Sequence, residues 1–142
     1  MNIDSIQNGV VLDHIQAGKS MEIYKYLHLD QLDCSVAIIK NVRSSRMGKK
    51  DIIKIDSPLQ LDLDVLGYID PNITVNVIRD GARVEKKNLE LPKKLVNIIH
   101  CKNPRCITTA ETQLDSIFFL SDAASHTYRC AYCETAKARK KD

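Results

Sequence analysis

Four cysteines in the last third of the chain constrain its fold most strongly: Cys101, Cys106, Cys130 and Cys133. They form two close pairs separated by a longer stretch, and two short loops that each carry two thiolates are how structural Zn²⁺ sites are built. Disulfide bonds are the alternative. However, no export signal is recognisable, and thiols kept in a reducing cytosol bind metal rather than pair. We therefore predict one structural zinc ion per chain, because a shell of four thiolates leaves no position open for a substrate.

The composition is that of an ordinary globular protein: 142 residues, 44% hydrophobic and 27% charged, with a net charge of +3. This charge is too small to indicate nucleic-acid binding by itself. No apolar run approaches the roughly 20 residues of a membrane-spanning helix. We expect a cytoplasmic protein of one ordinary domain or two small ones. The fifth cysteine, Cys34, lies in an apolar run and is expected to be a small buried side chain.

Hydrophobic periodicity divides the first 90 or so residues into strands and helices. We predict strands at 9–15, 36–42, 50–55, 73–78 and 83–87. One helix is predicted to begin with Ser20 as its N-cap, and a second with Pro58 in its first turn. Asp80-Gly81 is a hairpin signal. The order strand, helix, strand, strand, helix, strand is that of a ferredoxin-like fold, which leaves one face of the sheet free of helices.

A boundary is predicted at Leu91-Pro92, so that residues 1–92 form one domain and residues 93–142 another. A segment this short rarely has a core large enough to stabilise its fold, and a bound zinc ion would supply the stability that the core lacks. We predict strands at 116–120 and 127–129, and His100 as a strand residue or a group just outside the metal ligands. The basic end, 137–142, is expected to be a solvated tail. The predicted fold class is α+β, a ferredoxin-like N-terminal domain followed by a small zinc-bound β domain.

Polar residues on the predicted sheet indicate a binding site. Asp13-His14 ends the first strand, and Lys50 and Lys54 share one face of the third strand. Asn76 and Ile78 share a face of the fourth strand, and Lys86 follows on the next. A carboxylate with several lysines suits a nucleoside triphosphate, because the carboxylate accepts from ribose hydroxyls and ammonium groups meet phosphate. No catalytic motif stands out, so enzymatic activity of the chain alone is not expected.

These residues resemble a known family. Val11-Leu12-Asp13-His14-Ile15, the stretch 47–55, Thr74-Val75-Asn76 and the four cysteines are similar to the regulatory chain of aspartate carbamoyltransferase, in the same order along nearly the whole chain. The resemblance implies a non-catalytic subunit whose residues 1–92 form a nucleotide-binding allosteric domain. It implies that residues 93–142 form a four-cysteine zinc domain that docks on the catalytic chain. Regulatory chains of this family pair as homodimers that bridge catalytic trimers in pyrimidine biosynthesis, and ATP, CTP and UTP are their effectors.

The resemblance also assigns roles to individual residues. Asp13 and Lys54 would contact the ribose. The residues around the phosphates would be His14, Lys50, Asn76 and Lys86, and those bordering the base would be Ile6, Val11 and Ile78. Zinc would be held by Cys101, Cys106, Cys130 and Cys133. The chain departs from the family at 80–83, where Arg83 brings a cation to a segment that elsewhere supplies a tyrosine near the base.

Three other functions compete with this interpretation. A zinc-ribbon protein could bind nucleic acid through the basic tail, although only 5% of residues are aromatic and few could stack on bases. A free-standing metabolite sensor would explain the first domain and leave the zinc domain without a partner. A zinc enzyme would need an open coordination position, which four thiolates do not leave.

Overall fold

The computed structural model describes residues 6–138, and the chain divides into two compact units, residues 1–90 and residues 91–142. The first unit contains β1 (Gly9–Gln16), α1 (Ser20–Tyr26), β2 (Val36–Ser44), β3 (Gly48–Ile55), α2 (Leu63–Ile69), β4 (Thr74–Arg79) and β5 (Ala82–Asn88). The second contains β6 (Lys94–Val96), α3 (Ile107–Ala110), β7 (Ile117–Asp122), β8 (Thr127–Cys130) and β9 (Ala136–Ala138).

The five strands of the first unit form one antiparallel sheet in the order β2-β3-β1-β4-β5. The first four strands have the ferredoxin-like order, and β5 extends the sheet through the predicted hairpin at Asp80-Gly81. Both turn residues have positive φ, +53° and +80°, which a tight two-residue hairpin requires and glycine adopts without strain. The α+β prediction is confirmed.

Alternation along the strands separates a core face from an open face. In β1, Val10 and Leu12 are 2% and 0% exposed, whereas the alternating residues Val11 and Asp13 are half-buried. Ile53 and Ile55 of β3 continue the core, together with residues of the two helices such as Ile23, Leu66 and Ile69. Val11, Asp13 and Lys54 therefore belong to the opposite, open face.

Two predictions about helix starts were wrong. Ser20 is the first residue of α1 rather than its cap, and its side chain is fully buried. Pro58 lies outside α2, which begins at Leu63 after Asp62. The Asp62 carboxylate accepts hydrogen bonds from the backbone N–H groups of Asp64 and Val65, at 3.1 and 3.3 Å, and thereby caps the helix. α2 ends at Ile69, and Asp70 is its C-cap.

The second unit is a four-stranded antiparallel sheet in the order β6-β7-β8-β9. Its core is small, with Leu95, Phe118 and Tyr128 at most 2% exposed. The Tyr128 hydroxyl donates to the carbonyl of Pro92 at 2.7 Å. The strands predicted at 116–120 and 127–129 are confirmed as β7 and β8, and the three-residue strands β6 and β9 were missed.

Three smaller expectations concern single residues and the chain end. His100 lies in no strand and is exposed, so that part of its prediction was wrong. Cys34 is half-buried in the bend before β2. Lys137 and Ala138 belong to β9, so the expected tail was wrong at these two residues, and residues 139–142 lie outside the described residues. Among residues 6–138, no helix is long and apolar enough to cross a membrane.

Candidate effector site and metal centre

A cavity of about 310 Å³ opens on the helix-free face of the first sheet. It is lined by Ile6, Val11, Lys54, Asn76, Ile78, Gly81 and Arg83. The register explains why three of these side chains meet: Lys54 of β3, Val11 of β1 and Asn76 of β4 lie in one row across the sheet. Cross-strand neighbours on one face are within side-chain contact, so the row gives the cavity its floor.

Polar contacts fix the Asn76 side chain in this cavity. Its Nδ2 donates to the carbonyl of Val11 at 3.3 Å, and its Oδ1 accepts from Arg83 Nη1 at 3.4 Å. Asn76 is only 7% exposed, and a buried amide that uses both ends is held in one orientation. The apolar lining residues Ile6, Val11 and Ile78 complement this polar group.

Asp13 lies further along the same face of β1, paired with Lys50. Lys50 Nζ is 2.9 Å from Asp13 Oδ1, and both side chains are largely shielded, at 17% and 25% exposure. Burial alone would raise the pKa of Asp13, but the hydrogen bond from Lys50 and that from the backbone N–H of His14 outweigh it. The net effect lowers the pKa of Asp13 below its usual value, so the group is a carboxylate at neutral pH.

His14 is turned by an irregularity in β1. Pairing with β3 shifts register between Leu12 and Ile15, and His14 has a φ of +58°. This backbone conformation brings the His14 ring to Thr74, with 3.1 Å between Nδ1 and Oγ1. A bulge commonly re-aims a side chain in this way.

The structure therefore brings some of the predicted nucleotide residues together and leaves others apart. Ile6, Val11, Lys54, Asn76 and Ile78 line the cavity, whereas Asp13, His14, Lys50 and Lys86 do not. Lys86 is opposite Asn76 in the sheet but is exposed on the edge strand. Arg83 lines the cavity although it was not among the predicted residues.

The position of Arg83 results from a register shift. Asn76 pairs with Lys86 and Val77 with Glu85, but Ile78 pairs with Arg83, so one residue of β5 is left over. Without this bulge, Arg83 would fall on the same face as Glu85 and Lys87. The alternation of residues along β5 could not predict the position of Arg83, because the extra residue of a bulge reverses the face on which each side chain beyond it lies.

The four cysteines of the second unit converge on one point. Their sulfur atoms all lie within 4.8 Å of one another. Cys101 Sγ is 3.6 Å from Cys133 Sγ, and Cys106 Sγ is 3.7 Å from Cys130 Sγ. A tetrahedral zinc site with Zn–S bonds of about 2.3 Å places its sulfurs about 3.8 Å apart. No disulfide joins these cysteines, and the cluster is compatible with one structural zinc ion, as predicted.

Short loops deliver the sulfurs. Cys106 ends the first loop, where its N–H donates to the carbonyl of Asn103 at 3.0 Å, and then precedes α3. Cys130 is the last residue of β8, and the turn after it returns at Glu134, whose φ is +63° and whose N–H donates to the Cys130 carbonyl. Cys106 and Cys130 are 2% exposed, while Cys101 and Cys133 are half-buried.

The chemistry of the sulfur set also fits a dication. Burial raises the pKa of Cys101 to about 12. Hydrogen bonds from Thr135, through its side chain and its backbone, lower the pKa of Cys133 to about 6. Four thiolates this close repel one another unless a cation lies between them, and zinc supplies that charge. The metal would therefore hold together a unit whose apolar core is small.

The fold and the cysteine cluster define a two-domain α+β protein, with an open-faced ferredoxin-like sheet followed by a small metal-binding domain. Two family models match it: the aspartate carbamoyltransferase regulatory chain, allosteric domain, over residues 1–90, and its metal binding domain, over residues 93–141. The chain belongs to the aspartate carbamoyltransferase regulatory chain family, and is a non-catalytic regulatory subunit.

Curated relatives carry the same description. The aspartate carbamoyltransferase regulatory chain of Clostridium botulinum is 52% identical over 134 residues, which cover 94% of this chain and 92% of the relative. That of Clostridium tetani is 50% identical, with 94% of each chain covered. That of Bifidobacterium longum is 46% identical, with 94% of this chain and 96% of the relative covered. The zinc-ribbon, nucleic-acid-binding alternative is not supported.

Proposed function

We propose that this chain binds nucleoside triphosphates on the open face of its first sheet and transmits their effect to catalytic chains docked on its zinc unit. The 310 Å³ cavity carries this proposal, because it combines an apolar wall with Lys54, Arg83 and Asn76. The cytosol is the proposed location, since carbamoyl phosphate, aspartate and nucleotides are cytosolic metabolites. In the complex, the chain would control the formation of carbamoyl aspartate for pyrimidine biosynthesis.

The base would pack against Ile6, Val11 and Ile78, and Lys54 with Asp13 would meet the ribose hydroxyls. Asp13 suits this role because its lowered pKa keeps it an acceptor at neutral pH. The phosphates would extend toward Lys50 and His14, with Asn76 and Lys86 nearby. Lys50 would then exchange part of its contact with Asp13 for a phosphate oxygen, a stronger partner for an ammonium group.

ATP, CTP and UTP are the proposed effectors. Effectors that share a site can act in opposite directions only if each favours a different quaternary state, and the coupling is typically ~1–3 kcal/mol. By linkage, ligands of the catalytic chain must then change nucleotide affinity by the same factor.

The proposed docking partner of the zinc unit is the catalytic chain, as a trimer. Large apolar side chains of this unit are exposed to an unusual degree: Val96, Ile107, Leu114, Phe119 and Tyr132 are 36–53% exposed. Exposed apolar surface on so small a unit is typical of a protein interface. Zinc would act here by holding the loops that present Ile107 and Tyr132.

The proposed homodimer would form through β2. Both β2 and β5 are edges of the sheet, and β5 carries charged residues, which discourage pairing between chains. The first half of β2, Val36 to Ile39, is apolar and only half-buried. Ile39→Lys should therefore shift the chain toward monomer in sedimentation, whereas Val84→Lys on β5 should not. Equal effects of the two substitutions would contradict pairing through β2.

The deciding experiment mixes the zinc-loaded chain with catalytic trimers and follows mass and aspartate saturation, with and without ATP, CTP and UTP. We expect a large complex whose saturation curve shifts with nucleotide. Lys54→Ala should abolish the shift and keep the complex, while Lys25→Ala, an exposed lysine of α1, should change neither. A complex indifferent to every nucleotide would refute the effector site, and no complex would refute the docking role.

A further inference from the structure

The same three-residue pattern follows both cysteine pairs. The second cysteine of each pair is followed two residues later by a threonine, in Cys106-Ile107-Thr108 and in Cys133-Glu134-Thr135. Thr108 Oγ1 is 3.0 Å from Cys106 Sγ, and Thr135 Oγ1 is 3.1 Å from Cys133 Sγ. One sulfur of each pair therefore has a hydroxyl at hydrogen-bonding distance.

The direction of these hydrogen bonds follows from the metal. A zinc-bound cysteine is a thiolate without a hydrogen, so it can only accept, and the threonine hydroxyl must donate. At Thr135 the Cys133 sulfur can donate to Oγ1 only while it carries a hydrogen, and zinc binding removes that hydrogen. Asn103 Nδ2 donates to Thr135 Oγ1 at 3.1 Å, so the oxygen is used as an acceptor and its own hydrogen can point at Cys133.

Asn103 is itself fixed within the loop of the other cysteine pair. Its Oδ1 accepts from the backbone N–H of Arg105 at 3.0 Å. Its carbonyl accepts from the N–H of Cys106 at 3.0 Å and from Thr109 Oγ1 at 2.7 Å. The Asn103–Thr135 hydrogen bond thus connects the loop that ends in Cys106 with the turn that follows Cys133.

We propose that Thr108 and Thr135 are positioning residues of the zinc site, each donating one hydrogen bond to a zinc-bound thiolate, and that Asn103 orients Thr135. A donor draws negative charge from the sulfur, which makes the thiolate a poorer nucleophile and holds it in place. Outer partners of metal ligands typically change metal affinity 10- to 100-fold. Thr108 is half-buried and Thr135 is exposed, so water can replace the second hydroxyl more easily than the first.

The test uses the full chain loaded with zinc, or with cobalt for spectroscopy. Thr108→Val and Thr135→Val remove the hydroxyls with little change of shape. Thr109→Val is the matched control, because Thr109 lies in the same turn but donates to a carbonyl and not to a sulfur. The readouts are the rate of zinc transfer to a chromophoric chelator and the energy of the sulfur-to-cobalt charge-transfer band, which a purely structural role would not move.

We expect Thr108→Val to accelerate zinc transfer about tenfold or more, and Thr135→Val to accelerate it less. Both should shift the charge-transfer band, Thr108→Ser and Thr135→Ser should restore it, and Thr109→Val should leave it unchanged. Asn103→Ala also removes the acceptor of the Arg105 N–H, so it is compared with Thr135→Val through the charge-transfer band alone. In that band the double variant should shift no further than the larger single shift, since both substitutions remove the Asn103–Thr135 hydrogen bond.

Four results would overturn the proposal or one of its parts. One is an unchanged band in both valine variants, and another is an equal acceleration of zinc transfer by Thr109→Val. Additive shifts of the charge-transfer band by Asn103→Ala and Thr135→Val would refute the orienting role of Asn103. Where a valine variant does not take up cobalt, the serine variant decides: a native band supports the proposal, and failure to bind cobalt overturns it.

Discussion

Arg83 and Asn76 are joined across two strands by a hydrogen bond of 3.4 Å from the guanidinium to the side-chain amide oxygen. Within residues 6–138, this bond fixes one nitrogen of Arg83 at the cavity and leaves the rest of its donor fork for a ligand. Ile6 and Ile78, which line the same cavity, are the proposed base-facing residues. In the proposed nucleotide complex, Arg83 would discriminate between nucleobases by the acceptors on their edges.

We expect Arg83→Ala to weaken nucleoside triphosphate binding about 10- to 100-fold, the range for losing a charged hydrogen bond. Because Arg83 lies beside the base-facing residues, the loss should differ between ATP and CTP, as measured by calorimetry. Arg83→Lys should keep the positive charge but lose the planar set of guanidinium donors, so it should also change the ratio of ATP affinity to CTP affinity. The control is Lys87→Ala, whose side chain belongs to the core face. An equal loss for all nucleotides would place Arg83 at the phosphates instead.

The strands of the first sheet could be predicted from the sequence, but the position of Arg83 at the cavity could not. Alternation and the Asp80-Gly81 turn were enough to predict the strands and their order, because turn chemistry and hydrophobic period are local. The bulges that carry Arg83 and His14 to their positions are not visible in the pattern. The start of α2 was misplaced because Pro58 and Asp62 are both good helix initiators, and the pattern alone does not rank a proline in the first turn against a carboxylate cap. The cysteine cluster was predictable because its ligand spacing is itself local.

The buried carboxylate of Asp51 gives a prediction about stability and pH. Asp51 is fully buried and accepts from the backbone N–H groups of Gly18 and Asn41, at 3.1 and 3.0 Å. Burial raises the pKa of Asp51, but the hydrogen bonds from the backbone N–H groups of Asn41 and Gly18 help to outweigh it, and the net effect lowers the pKa below its usual value. The folded pKa is thus below the unfolded one, so this stabilisation is present above pH ~4 and is lost as pH falls through the folded pKa.

Asp51→Asn should lower the unfolding free energy of the first unit by about 1–3 kcal/mol at pH 7, since an amide offers one acceptor where two are needed. The difference from the unsubstituted chain should shrink at pH 3. Urea unfolding followed by amide NMR signals of β1 and β3 measures both values. Asp56→Asn, at an exposed position beyond β3, is the control and should be neutral. A penalty that is the same at both pH values would show that shape, and not charge, is responsible.

The cap of α2 can be tested separately. Asp62→Ala removes the two hydrogen bonds to Asp64 and Val65 and should cost about 1 kcal/mol, the usual value for an N-cap. Asp62→Ser should recover most of the loss because serine also caps. Asp64→Ala is the control, since Asp64 takes part through its backbone N–H. If Asp62→Ala and Asp64→Ala unfolded at the same urea concentration as the unsubstituted chain, the cap would contribute nothing.

Removal of one zinc ligand should unfold the second unit and leave the first unit folded. Cys130 is almost fully buried, and Cys130→Ser replaces a soft thiolate by a hydroxyl that zinc binds poorly. Structural zinc contributes on the order of 10–16 kcal/mol in small zinc domains, far more than the few buried residues around Phe118 and Tyr128 can replace.

We expect the variant to lose zinc, to lose the NMR signals of β6 to β9, and to fail to assemble with catalytic trimers, while the signals of β1 to β5 persist. Cys34→Ser is the matched control and should retain zinc and assembly, because Cys34 lies in the first unit, outside the cluster. A Cys130→Ser chain that still assembled would show that docking does not depend on the metal.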